Sequence, residues 1–263
     1  MTFPDTSRLL HTVPVVALSL LAGVSVASAN LILNGDFSSY TPYTLPSGGS
    51  APGFELDAAS GTVNSITNWT SNGYNFLLLP TTNGSGGAYS PQYTNYMALW
   101  AAGNGGLNTW DGLGPSIAGY TNGPNFIAMD GAYQTGPLAQ IVSGLTVGAK
   151  YDVSFYWAAG QQKGFTGPTT EGMTVSLGAQ SLSTVTVSTP SQGFIPWMFQ
   201  TMTFTAASST STLSFLASGA PPGTPPFSLL AMVSMNAVPE PASLLLLGTA
   251  LACGAGAVRR RRG

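Results

Sequence analysis

Between residues 30 and 237 the chain never sustains a 3.6-residue apolar period. Its apolar residues come in short alternating runs punctuated by Gly, Pro, Asn and Ser. That pattern selects strands over helices, because successive strand side chains point to opposite faces. Tyr151-Asp152-Val153-Ser154-Phe155-Tyr156-Trp157 is the clearest run. Tyr151, Val153, Phe155 and Trp157 fall on one face, and Asp152, Ser154 and Tyr156 on the other. Residues 173–177, 201–205 and 212–217 alternate likewise. Residues 228–236 read as a last strand, more apolar and therefore more buried. Leu31-Ile32-Leu33 and residues 125–129 are further strands, and residues 144–150 form a turn that feeds Tyr151. Many short strands joined by Gly-rich turns predict an all-β, antiparallel β-sandwich of the jelly-roll kind. About 208 residues suits one such domain.

Charge narrows the functions open to this domain. The 263 residues include 7 basic and 9 acidic ones, or 6% charged, against roughly 25% in an ordinary soluble domain. Residues 30–237 hold only Lys150 and Lys163 against Asp36, Glu55, Asp57, Asp111, Asp130, Asp152 and Glu171. A nucleic-acid binder needs a basic field, so nucleic acid is excluded as a partner. The sole histidine, His11, and the sole cysteine, Cys253, lie outside this stretch. Ser-His-Asp and Cys-His catalysis, zinc sites and internal disulfides are therefore excluded within it.

Both ends read as membrane-directed. Arg8 precedes an apolar run over residues 13–26, and Ala27-Ser28-Ala29 has the small-x-small pattern that a signal peptidase accepts. Residues 1–29 are thus predicted to be a signal helix that enters the Sec translocon, with cleavage between Ala29 and Asn30. At the other end Val238-Pro239-Glu240-Pro241 leads into an apolar stretch over about residues 242–258, and Arg259, Arg260, Arg261 and Arg262 follow. Seventeen helical residues span about 25 Å, just enough for the hydrocarbon core. The arginines should stay cytoplasmic, which leaves the preceding domain outside.

Pro-Glu-Pro, an apolar helix and an arginine cluster, in that order at the C-terminus, resemble the PEP-CTERM sorting signal of Gram-negative bacteria. The resemblance covers residues 238–263. The same tail is also catalogued as an ice-binding protein C-terminal domain, a label that sets no expectation for the domain in front. The resemblance implies that an exosortase processes the chain near Pro239, Glu240 and Pro241. The inner membrane holds it transiently, and the domain is then sorted to the cell surface or extracellular matrix.

The domain itself resembles galactose-binding-like jelly rolls, including carbohydrate-binding modules. The residues that carry this are Asn30-Leu31-Ile32-Leu33-Asn34-Gly35-Asp36-Phe37, residues 138–145 before the Tyr151 strand, and Pro226-Phe227-Ser228-Leu229-Leu230. Many such folds carry a structural calcium held by an acid near the first strand and another in the last. Asp36 matches the first, but Leu230-Ala231-Met232-Val233 offers no acid, so no metal or other cofactor is expected.

Catalysis would rest on carboxylates alone. Glycoside hydrolysis needs a pair. Glu55 and Asp57 would merely share a strand face, Glu171 has no partner by spacing, and Asp111-Gly112 and Asp130-Gly131 are turn signals. Binding fits better. Aromatic platforms and neutral hydrogen-bonding groups hold sugars, and this stretch contains Trp69, Trp100, Trp110, Trp157 and Trp197. Trp69, Trp100 and Trp157 sit in strand-like runs and are assigned to the core; Trp110 and Trp197 sit where exposure is expected. Tyr156, on the outward face, lies beside a loop carrying Gln161, Lys163 and Glu171, and these four form the candidate glycan-binding set. The expectation is a non-catalytic surface or matrix protein that binds or structures exopolysaccharide. A glycoside hydrolase is the alternative, and an ice-binding protein or adhesin the next; the latter would need a regular Thr array, which the sequence does not show.

Overall fold

The structure is a computed structural model that describes residues 29–41, 43–44, 50–51, 56, 65–80 and 97–239. Ala27, the sorting motif from Glu240 onward, the expected span at 242–258, the four terminal arginines, Glu55 and Asp57 lie outside these residues. No helix among the described residues is long and apolar enough to cross a membrane.

Four two-residue strands come first: β1 (Tyr40–Thr41), β2 (Tyr43–Thr44), β3 (Ser50–Ala51) and β4 (Ser65–Ile66). β1 pairs with β4, and β2 with β3. Next come β5 (Thr70–Ser71), β6 (Asn75–Leu78), β7 (Phe126–Asp130) and β8 (Leu138–Ser143). The long strands follow: β9 (Lys150–Gln161), β10 (Thr169–Leu177), β11 (Gln180–Ser183) and β12 (Val187–Thr189). The last three are β13 (Phe194–Thr205), β14 (Thr210–Ala220) and β15 (Pro226–Ala237). One sheet runs β13-β9-β15-β7-β6. The other runs β11-β10-β14-β8-β5, with β12 also paired to β10. Every pairing is antiparallel.

The two sheets meet on their alternating apolar faces, as the sequence predicts. β9 contributes Tyr151, Val153, Phe155 and Trp157; β10 contributes Met173, Val175 and Leu177; β14 contributes Leu213, Phe215 and Ala217. Each large side chain buried this way stabilises the fold by roughly 1.5–3 kcal/mol. The turn into β9 is the expected one. Gly144 and Gly148 take positive φ of 81° and 84° there, and the Tyr151 hydroxyl accepts the Thr146 amide at 2.9 Å.

Leu31-Ile32-Leu33 does not form a strand. Asn34 and Phe37 turn the chain at positive φ of 54° and 55°. In place of a ladder, the buried Gln140 side chain accepts the Leu33 amide at 2.9 Å and donates to the Leu33 carbonyl at 2.8 Å.

A second cluster explains the apolar character of β15, which is buried on both faces over Phe227–Ala231. Leu230 points into the sandwich, whereas Phe227, Leu229 and Ala231 point outward. There they meet Phe76, Leu78, Phe126, Ala128 and Ala158 of neighbouring strands. Met97, Leu99, Ala101 and Trp110, from the connection between β6 and β7, close over them. That connection therefore covers part of the outer face of the five-stranded sheet.

Candidate functional site

An open cleft of about 370 Å³ lies where that covering connection meets the edge strand β13. Its lining is Asn108, Thr109, Trp110, Phe194, Pro196 and Trp197. A β-bulge builds it. Ile195 pairs with Ala159 and Met198 with Trp157, so Pro196 and Trp197 together oppose the single residue Ala158. The extra residue shifts the alternation, so Phe194, Trp197 and Phe199 all reach the outer face while Met198 packs against the core. Proline suits such a position because it cannot donate to the ladder.

The aromatic walls are fixed. Trp110 stacks on Phe194 with centroids 4.1 Å apart and planes 1° apart. Phe126 meets Trp197 edge-on at 5.3 Å. Both indoles donate to one acceptor, the Leu113 carbonyl, at 2.9 Å from Trp110 and 3.1 Å from Trp197. Asn108 is held by its own bonds, donating to the Gln192 carbonyl at 2.9 Å and accepting the Trp110 amide at 2.9 Å. The six lining residues carry no titratable group. The cleft thus presents the half-buried rings of Phe194 and Trp197 and the exposed Pro196 and Thr109, with Trp110 and Asn108 fixed beneath them.

The four residues singled out for glycan binding do not come together. Tyr156 lies on the outer face, against the second cluster and 5.0 Å from the Phe199 ring. Gln161 is the last residue of β9 and fully buried; it donates to the Gly167 carbonyl and accepts the Gln192 amide, both at 2.8 Å. It braces the loops behind the cleft. Lys163 sits 5.9 Å from the Trp100 ring centroid, and its amide donates to the Ala98 carbonyl at 2.8 Å.

Glu171 is not in a loop. It belongs to β10 and points with Thr169 and Met173 into the sandwich interior, fully buried. Thr189 Oγ1 donates to its Oε2 at 2.5 Å, while its Oε1 and Thr169 Oγ1 have no hydrogen-bond partner. Burial raises its pKa to about 7, and the neighbouring hydroxyls of Thr169 and Thr189 oppose the rise. Of these two, only Thr189 closes a hydrogen bond. A carboxyl enclosed in this way has no route to substrate.

Asp36 is also engaged within the protein. It accepts the Tyr120 hydroxyl at 2.8 Å and the Ser38 hydroxyl at 2.9 Å. Burial pushes its pKa up, but these bonds outweigh that and hold it below the usual value. Among the described residues no group of three or more His, Cys, Asp or Glu side chains assembles. Asp130 closes the turn after β7 by accepting the amides of Ala132, Tyr133 and Gln134.

Sequence reasoning placed Trp69 and Trp157 correctly in the core, but Trp100, assigned there too, is only half-buried, its indole donating to the Phe165 carbonyl at 2.7 Å. Trp110, expected to be exposed, is only 8% exposed because Phe194 stacks on it and Phe126 meets it edge-on. Phe194, Pro196 and Asn108 were missed. A proline inside an alternating run, with aromatics on both sides, was the available signal for the bulge.

Comparison with known proteins matches residues 237–262 to the PEP-CTERM protein-sorting motif. The chain therefore carries a PEP-CTERM sorting motif. No curated protein matches. Among solved structures the chain is similar to TmCBM61, solved with β-1,4-galactotriose, at 13% identity and a TM-score of 0.38, covering 80% of this chain and 100% of that one. It is similar to the MgGH51 α-L-arabinofuranosidase at 15% identity and a TM-score of 0.40, covering 82% of this chain and 27% of that one. A cyclase from Fischerella sp. TAU is similar at 14% identity and a TM-score of 0.40, covering 81% and 100%. Likenesses this distant carry no argument about fold, ligand or activity, and the architecture rests on the strands and pairings described above.

Proposed function

We propose that this is an exported, exosortase-sorted surface or matrix protein whose β-sandwich binds neutral exopolysaccharide, without catalysis, at the Trp110, Phe194 and Trp197 cleft. The observation that carries the binding reading is the lining. The rings of Phe194 and Trp197 and the Thr109 hydroxyl suit the apolar faces and hydroxyls of a neutral sugar, and no lining residue can act as acid or base. The sorting reading rests on the motif at 237–262. Two prolines around Glu240 favour an extended segment that a processing enzyme can grip, and the arginines after it resist passage through the bilayer.

Two experiments test this. The first is a neutral-glycan array probed with the full-length protein in detergent and with Trp197→Ala. Binding should be lost in the variant and should change little with salt, unlike binding driven by counterion release. An array that is blank, or unchanged by the substitution, overturns the binding reading. The second is mass spectrometry of the C-terminus in cells with and without the exosortase. Intact Gly263 on surface protein from exosortase-positive cells overturns the sorting reading.

A further inference from the structure

The cleft does not end at Trp197. Beyond the bulge, β13 and β9 run together on the same outer face, row by row. Phe199 pairs with Tyr156, Thr201 with Ser154, and Thr203 with Asp152. The first row is aromatic, and Phe199 is 60% exposed. The second is a hydroxyl pair, Ser154 and Thr201 Oγ atoms 2.9 Å apart. The third joins the Thr203 hydroxyl to Asp152 Oδ1 at 2.6 Å. β15 supplies Ser234 beside Ser154 and Asn236 beside Asp152, so hydrogen-bonding groups also floor the adjacent strand. No basic side chain interrupts these rows until Lys150, opposite Thr205.

The six steps of β9 from Ala158 to Asp152 span about 20 Å at ~3.3 Å per residue. That length exceeds what one sugar ring can fill. The order of groups along it also matters: stacking surface at the cleft, a second ring surface at Phe199, then hydroxyls and a carboxylate able to bond successive sugar hydroxyls. The covering connection closes over the β15, β7 and β6 side of this face, while Phe199, Thr201 and Thr203 stay exposed along the β13 edge.

We infer that the cleft is one end of a track along β9 and β13 that holds the interior of an extended, unbranched, neutral polysaccharide chain rather than a terminal sugar. This rests on the glycan-binding reading of the cleft and specifies it: the ligand class is chain-internal segments, and Phe199, Thr201 and Ser154 are the further contact residues. Beside the cleft and Tyr156, where Leu229 and Ala231 of β15 lie under the covering connection, side branches on the β15 side would meet its wall.

The test measures affinity of the full-length protein in detergent for neutral gluco-, xylo- and galacto-oligosaccharides from two to six units. It is repeated with Phe199→Ala and Thr201→Val, both on the exposed edge and therefore compatible with folding. Affinity should rise at least about tenfold from the shortest to the longest member of the series that binds. Phe199→Ala should remove most of that rise and Thr201→Val part of it, and a rise that both variants leave intact overturns the track. Length-independent affinity that is still abolished by Trp197→Ala overturns the track and leaves the cleft reading standing. Absence of binding at every length, or insensitivity to Trp197→Ala, overturns both.

Discussion

Trp110 and Phe194 lie face to face, 4.1 Å between centroids and 1° between planes, although 84 residues separate them in the chain. One comes from the connection over the sheet and the other from the start of the edge strand. Their stack is what closes the covering connection onto β13 and forms the back wall of the cleft. Trp110→Ala should therefore cost about 3–5 kcal/mol, the range for deleting a buried aromatic. A double-mutant cycle with Phe194→Ala should leave a coupling of roughly 0.5–1.5 kcal/mol beyond the area lost. Denaturant unfolding of the four proteins measures it. A coupling of zero would mean the two rings contribute only as independent apolar surface.

Two glycines should respond in opposite ways to alanine. At Gly160, on the outer face of β9, a Cβ would meet Phe194 Cδ2 at 3.5 Å and Leu99 at 3.7 Å, both ordinary contacts. Gly160→Ala should be neutral or stabilise by about 0.4–1 kcal/mol, mainly by restricting the unfolded chain. At Gly35 a Cβ would lie 1.9 Å from the Val233 carbonyl oxygen, and the Val233 amide donates to the Gly35 carbonyl at 2.9 Å. That close approach meets the bulge in β15, where Met232 takes a φ of 53°. Gly35→Ala should destabilise by about 3 kcal/mol or more, as overpacking against backbone does. Thermal melts of both variants decide the matter.

The strands of the core were legible because burial on one face imposes a period of two. The run at 151–157 gave both the strand and its inward face, and Asp130-Gly131 gave a turn that Asp130 does close. What escaped the sequence was everything set by contacts between distant segments. Gln140 looks like an exposed polar residue in a strand, yet it substitutes for the ladder that Leu31-Ile32-Leu33 lacks. Glu171 follows a Gly/Pro-rich loop and was read as part of it, yet strand alternation from Met173 already pointed it inward. The outer cluster was visible only as excess apolarity in β15. The cleft needed the bulge at Pro196, which no periodicity reports.

Gln140 also supports a direct test. It accepts the Leu33 amide and donates to the carbonyls of Leu33 and Asn68, the latter at 3.1 Å. Gln140→Leu keeps the volume and removes all three bonds. Hydrogen exchange at the Leu33 amide should accelerate strongly, while amides in β9 and β14 keep their protection. Unchanged protection at Leu33 would show that the Asn30 contacts to Ile32 and Met235 suffice to hold this segment.

Glu171 should make the protein more stable in mild acid than in mild base. Its carboxyl is enclosed, one oxygen lacks a partner, and burial raises its pKa from 4.5 to about 7. A raised pKa means the folded state holds the proton more tightly than the unfolded chain does. The stabilisation is thus complete below about pH 4.5 and is lost as pH rises through about 7. A shift of that size corresponds to roughly 3 kcal/mol across the window. Asp36 works in the opposite sense: its pKa lies below the ordinary value, so its contribution fades only in stronger acid. Between pH 5 and pH 8, then, the melting temperature should fall. Glu171→Gln should flatten the profile, because an amide keeps an acceptor for the Thr189 hydroxyl and cannot ionise. A wild-type profile that stays level or rises over this window, or one that Glu171→Gln leaves unchanged, would show that Glu171 is not the group holding the extra proton in the folded state.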